Sequence, residues 1–207
     1  MYTVRITHVP ALGKGPALRA ALEQHSKASN EAGGSYSVSQ LLYTKEPAFL
    51  NSIRYDTLAA LDAYQAALPN DTARQARLAK VNECLALPQT SELYEVLVPS
   101  QPTGPVNCSL RIKYFAASGK NQELREALER RLSMPRKGAV GAGLSSQVAS
   151  NEGFNYVVSI LFSNFAALEE FRQGDPSVQA FQAQTASLLA RPVTQQLSRI
   201  LLPFPAP

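Results

Sequence analysis

Gly13-Lys14 followed by Leu18-Arg19-x-Ala21-Leu22-Glu23 returns in this chain as Gly119-Lys120 followed by Leu124-Arg125-x-Ala127-Leu128-Glu129, every residue 106 positions on. Ala59-Ala60-Leu61-Asp62-Ala63-Tyr64 recurs as Ala166-Ala167-Leu168-Glu169-Glu170-Phe171 at an offset of 107, and Leu93-x-x-x-Leu97-x-Pro99 recurs as Leu197-x-x-x-Leu201-x-Pro203 at 104. Matches in the same order, with offsets that drift only at loops, mean a duplicated unit of about a hundred residues, too long for a solenoid repeat. The copies run over residues 1–99 and 107–207, the second ending in a short Pro-rich tail, with 100–106 as a linker rich in Pro and polar residues.

Each copy reads as βαββαβ. In the first, Tyr2 to Val9 alternates apolar and polar residues, as a strand with one greasy and one wet face does. A helix follows from Pro16, favoured at the first helical position, to Glu31, and stops at Gly33-Gly34. Strands at Tyr36 to Tyr43 and Phe49 to Tyr55 are joined by Thr44-Lys45-Glu46-Pro47, matched in the second copy by the turn Ser150-Asn151-Glu152-Gly153. Asp56 and Thr57, and their counterparts Ser163 and Asn164, are helix-capping residues. Pro69-Asn70-Asp71 and Gly174-Asp175-Pro176 each interrupt the second helix and supply an Asp able to cap a new helical stretch. The last strands lie at Leu93 to Val98 and Leu197 to Leu202, after Pro88 and Pro192.

A βαββαβ unit with right-handed crossovers is an antiparallel sheet with both helices on one face. Its other face needs a cover, and two such units can cover each other sheet to sheet. The expected fold class is therefore α+β: two tandem ferredoxin-like units packed as an intrachain pseudo-dimeric barrel. This arrangement resembles the dimeric α+β barrel superfamily, and within it the antibiotic-biosynthesis monooxygenase type. The resemblance rests on topology and duplication over nearly the whole chain and places no catalytic residue. The expected function is binding or modification of a small phenolic or carboxylate-bearing molecule between the sheets, with cofactor-independent oxygenation as what the resemblance implies; the alternative is a non-catalytic structural or protein-interaction module.

The 207 residues, 45% hydrophobic and 17% charged, suit a globular protein with a sizeable core. The net charge is +4, yet the densest basic cluster, Arg130, Arg131, Arg136 and Lys137, lies late in a helix where it offsets the helix dipole, so no nucleic-acid partner is expected. The N-terminus lacks the apolar core of a signal peptide and no apolar run approaches a membrane span, so the expectation is a cytoplasmic protein with no membrane partner, monomeric or homo-oligomeric. Cys84 and Cys108 have no metal-type spacing; Cys84 matches Leu188, which favours a structural thiol. His8 and His25 are the only histidines, their counterparts are Tyr114 and Arg131, and each reads as a hydrogen-bonded or surface residue, so no haem, metal or other cofactor is expected. The Gly-Lys pairs lack the rest of a phosphate loop, and no nucleophile elbow is present.

The chemistry is expected on the polar face of the first strands. Arg5 and Arg111 match between copies, beside Thr3 and Thr7 in one and Ser109 and Lys113 in the other. Because Val4, Ile6, Leu110 and Ile112 suit the helices, the arginines should point to the space between the sheets. Gln40 with Gln147, and Ser52 with Ser159, join them as matched candidates. Glu95, whose counterpart is Arg199, is expected to pair with Arg5, leaving Arg111, Lys113 and Arg199 to be neutralised by solvent, by another acid or by an anionic small organic molecule. Tyr2, Tyr36, Tyr43, Tyr55, Tyr114 and Tyr156 are further pocket candidates.

Overall fold

The computed structural model describes residues 1–148, 155–173 and 176–205, with 176–178 by backbone alone. The second-copy turn at Ser150 to Gly153 and most of the Gly174-Asp175-Pro176 break lie outside the described residues. The first copy contributes β1 (Tyr2–His8), α1 (Gly15–Glu31), β2 (Tyr36–Leu42), β3 (Ala48–Tyr55), α2 (Leu58–Ala67), a 3₁₀ turn (Leu68–Asn70), α3 (Thr72–Asn82) and β4 (Thr90–Val98). The second repeats that order with β5 (Cys108–Phe115), α4 (Asn121–Ser133), β6 (Ala139–Gln147), β7 (Asn155–Phe162), α5 (Phe165–Arg172), α6 (Pro176–Thr185), a 3₁₀ turn (Ala186–Leu188) and β8 (Thr194–Leu202). The eight strands follow the order β1-β3-β2-β8-β5-β7-β6-β4 in a closed barrel, the α+β class read from the sequence.

Local chemistry explains the element ends. Gly13 and Gly119 take φ of +75° and +73°, the left-handed turn that an L side chain resists, and each is followed by a Lys whose amide bonds back to Ala11 or Ala117 at 2.9 Å. The repeated Gly-Lys is thus a turn into a helix. Thr57 and Asn164 cap α2 and α5 by accepting from the amides of Ala60 and Ala167 at 3.1 and 2.8 Å, and Asp71 caps α3 through the amide of Arg74 at 2.8 Å. Gly138 also has positive φ (+76°), and a Cβ there would run into the carbonyl of Ala167. Gly138→Ala should therefore cost at least about 2 kcal/mol in denaturant unfolding; a loss below about 0.5 kcal/mol would show that the loop before β6 relaxes freely.

The compact units are cut differently from the repeats: unit 1 holds Met1–Tyr94 with Arg199–Pro207, and unit 2 holds Glu95–Ser198. Unit 1 thus takes the end of β8, and Leu201 and Leu202 pack on its core of Leu18, Leu22, Val38, Phe49, Val81 and Cys84. Unit 2 takes the end of β4, and Leu97 and Val98 pack on its core. Both cysteines are buried. None of the described helices is long and apolar enough to cross a membrane.

The two cores differ in continuity. In unit 2 a single cluster runs from Cys108 and Leu110 through Leu124, Leu128, Leu144, Val158 and Ile160 to Phe162 and Leu168. In unit 1 the buried apolar residues fall into separate groups: the one around Leu18 and Phe49, one of Tyr36, Ile53 and Tyr55, and one of Leu41, Ala48 and Leu50. What interrupts them is polar.

Candidate functional site

Strand register decides which of the expected residues share a face. Arg5 stands opposite Ser52 across β1 and β3, and Arg111 stands opposite Ser159 across β5 and β7, so these pairs meet in both units. In unit 2 the same face carries Lys113 opposite Val157 and Ser145, and Phe115 opposite Asn155, whose amide donates to Gln147 Oε1 at 2.7 Å. Arg111, Lys113, Gln147 and Ser159 therefore lie on one face. Arg111 donates to Gln196 Oε1 at 2.9 Å, and Ser109 and Ser198 share a hydrogen bond of 2.8 Å.

Three expectations fail. Gln40 pairs with Phe49, which pairs with His8, so Gln40 lies on the face covered by helices, away from Arg5. Its counterpart by register is Ser146, because Phe49 corresponds to Tyr156; aligning it with Gln147 is a one-residue slip, and one residue reverses a strand's faces. Arg199 is exposed, the buried residue beside it being Ser198. Glu95 is exposed as well; Arg5 lies 4.5 Å over the ring of Tyr94, the adjacent residue of β4, which is buried. Of the tyrosines, Tyr43 is 94% exposed at the β2 to β3 turn and belongs to no pocket.

The polar material that divides the unit 1 core forms a second site, between its sheet and helices. Tyr36 on β2 is fully buried, and its Oη lies 2.6 Å from that of Tyr64 on α2. Arg74 on α3 donates from Nη2 to the Tyr36 oxygen at 2.6 Å and lies 4.2 Å over the Tyr64 ring. Tyr55 meets Tyr64 edge to face at 5.3 Å, and His25 on α1 meets Tyr36 in the same way at 5.8 Å. The acid nearest Arg74 is Asp71, 3.9 Å away and 40% exposed, too distant and too wet to neutralise it.

This layer leaves buried polar atoms without hydrogen bonds: both ring nitrogens of His8, Nδ1 of His25, the hydroxyls of Ser26 and Ser29, Asn51 Oδ1, and Nε of Arg74 and Arg77. His8, His25, Ser26, Ser29 and Asn51 are each at most 4% exposed. Such atoms cost roughly 1–3 kcal/mol apiece when nothing meets them. Their electrostatics follow from burial. Desolvation lowers His8 to about 4, and desolvation, then Arg74, Arg77 and His8, lowers His25 to about 4, so both imidazoles are neutral at pH 7. Burial, with the Tyr64 hydrogen bond, holds the Tyr36 phenol well above its usual range.

The second copy keeps apolar residues at three of these positions. By register Asn51 corresponds to Val158, and by the helix offsets Ser26 corresponds to Leu132 and Arg77 to Phe181, all three packed in the unit 2 apolar core. His8 and His25 correspond to Tyr114 and Arg131; burial pushes Tyr114 up to about 12, and its ring meets Phe181 edge to face at 6.4 Å. Tyr156 donates to the carbonyl of Asn121 at 3.1 Å, a structural bond. Among the described residues no group of three His, Cys, Asp or Glu could hold a metal ion.

No family model matches the sequence, and no curated protein does. Solved structures do share the fold. A protein of Fusobacterium nucleatum provisionally named a monooxygenase superposes with a TM-score of 0.76 at 10% identity, over 97% of this chain and 92% of its own. A second protein so named, from Lactobacillus acidophilus, gives 0.71 at 12% identity, over 99% and 98%. An anthrone oxidase-like protein gives 0.64 at 14%, over 97% and 91%. At these identities the likeness is one of fold.

Proposed function

We propose that this protein is a cofactor-independent oxygenase of an electron-rich phenol or enol, bound in the helix-covered layer of unit 1. The observation that carries the reading is the replacement of apolar core, as unit 2 keeps it, by buried polar groups that no protein atom satisfies. A fold that puts polar groups in one copy at core positions that are apolar in the other has a use for those groups. The names of the structural neighbours, two of them monooxygenases and one anthrone oxidase-like, agree with this reaction class.

The chemistry the layer offers is activation of a phenol. Arg74 already donates to a phenolic oxygen, that of Tyr36, and a substrate oxygen in reach of the same guanidinium would be stabilised as its anion by a charge-assisted bond. Neutral His25 accepts the proton; with a pKa of about 4 it does so only from a phenol made acidic by Arg74. The anion is the electron donor to dioxygen: one oxygen atom enters the ring carbon that loses its hydrogen, the other leaves as water, and the phenol becomes a quinone. Tyr36 stays protonated and serves to position.

Pure protein should consume oxygen with 1-naphthol or anthrone without added metal or flavin, and Arg74→Gln should lower kcat/KM at least about 100-fold. Binding without oxygen uptake across a broad phenolic panel would return the protein to the non-catalytic class. The unit 2 face of Arg111, Lys113, Gln147 and Ser159 is the rival ligand site: if Arg111→Ala, and not Arg74→Gln, removes binding while folding is kept, the site lies there.

A further inference from the structure

Resting on that reading, we propose that the unit 1 ligand carries a second polar group, a carboxylate, held by Arg77 with the hydroxyls of Ser26 and Ser29. Arg77 is a partly buried cation on α3 whose Nε meets no acceptor, and among the described residues no carboxylate pairs with it. Arg74 has Asp71 at 3.9 Å and the Tyr36 oxygen at 2.6 Å; Arg77 has neither kind of partner. A guanidinium nitrogen buried without an acceptor, on a side chain that pairs with no acid among the described residues, leaves a hydrogen bond for a ligand to make.

Arg77 acts on His25 of α1 through its charge, and the polar residues next to His25 on that helix are buried. Ser26 and Ser29 are 0% and 4% exposed on α1, which packs against α3, and each hydroxyl lacks the bond to a preceding turn's carbonyl that helical serines usually make. A hydroxyl free of its own backbone can donate elsewhere. His25, beside them in sequence, is neutral and presents Nδ1 without a partner. The acid whose charge reaches His25, Asp71, is the weakest of the influences on it and stands beside Arg74.

Spacing sets the shape of the ligand. Arg74 and Arg77 are three residues apart on one helix, so their side chains leave it about 5 Å apart along the axis and on the same side. A phenolic oxygen at Arg74 and a carboxylate at Arg77 then stand at opposite ends of one aromatic ring, with Tyr36 and Tyr64 beside the phenol end. Phe181, at the place of Arg77 in the second copy, offers an anion nothing.

Calorimetric titration with 4-hydroxybenzoate and with its neutral analogue 4-hydroxybenzamide tests this. Wild type should bind the acid at least about 10-fold tighter than the amide, and Arg77→Gln should remove that preference while changing the amide's affinity by no more than about two-fold. Should Arg77→Gln fail to fold, Ser29→Ala should still weaken the acid about 3-fold and leave the amide unchanged. Equal affinities in wild type, or a preference that survives Arg77→Gln, overturn the carboxylate subsite and leave the phenol site standing, since the amide still binds. Failure of both compounds to bind overturns the subsite together with the reading on which it rests.

Discussion

Unfolding free energy should fall by on the order of 6 kcal/mol as the pH drops from 6.5 to 4, because the chain's two histidines are both buried and both titrate there. Each has a folded pKa of about 4 against an unfolded value of 6.5. Between those values the unfolded chain holds a proton that the folded chain does not, so stability rises with pH through the window and is lost as pH falls through it. One histidine accounts for about 3 kcal/mol, and near pH 5 the two together give a slope of about 2.4 kcal/mol per pH unit. Denaturant midpoints at half-unit steps of pH measure that slope, and His25→Asn should about halve it. A flat profile from pH 7 to 5 would mean that the imidazoles find water or a counter-charge, and that the layer is wetter than its burial indicates.

The duplication makes the architecture legible, since matched signals locate the same element twice: Gly13 and Gly119 at the turns, Thr57 and Asn164 at the caps. Even Cys84 takes the place of Leu188, each giving its carbonyl to the amide of the loop before the first helix, Ala11 or Ala117, at 2.8 Å. Matching is a poorer guide to the site. It leads to Gln147 as the partner of Gln40, although the alternation of β2 already places Gln40 with Tyr36 and Val38 on the helix side. The residue that separates the offsets 106 and 107 lies after β2, in the turn, where no strand pattern marks it. Glu95 misleads for a related reason: Leu93-Tyr94-Glu95-Val96-Leu97 has no clean alternation, and burial of Tyr94 turns Glu95 outward.

The functional layer is present in the sequence as a set of mismatches. His8 and His25 read as surface or hydrogen-bonded residues when taken singly, and His8 is buried with no partner at either nitrogen. Set beside the second copy, Asn51 against Val158, Ser26 against Leu132 and Arg77 against Phe181 are polar-for-apolar exchanges at core positions. Duplicated halves that share a fold need the same core, so a core position that departs from its twin in polarity is the signal for a role beyond packing. Only the side-chain geometry joins these positions to Tyr36, Tyr64 and Arg74, because long-range contacts from α1, α2, α3 and the sheet must be placed together first.

Giving unit 1 the core of unit 2 at two positions should stabilise the protein and weaken binding. The variant is Asn51→Val with Arg77→Phe, each residue being the one its counterpart holds as Val158 and Phe181. Asn51 is 3% exposed with Oδ1 unsatisfied, and exchanging such a group for an apolar one of similar size removes a desolvation cost and adds contact with Val38, its partner on β2. The gain expected in denaturant unfolding is about 1–3 kcal/mol for the pair. Over the same change, affinity for 4-hydroxybenzoate should fall at least about 10-fold. Stability and function moving in opposite directions is what separates a binding layer from a structural polar core. A variant that loses stability while keeping its ligand would show that Asn51 and Arg77 serve folding, and that the anion and the phenol, where they bind at all, bind elsewhere.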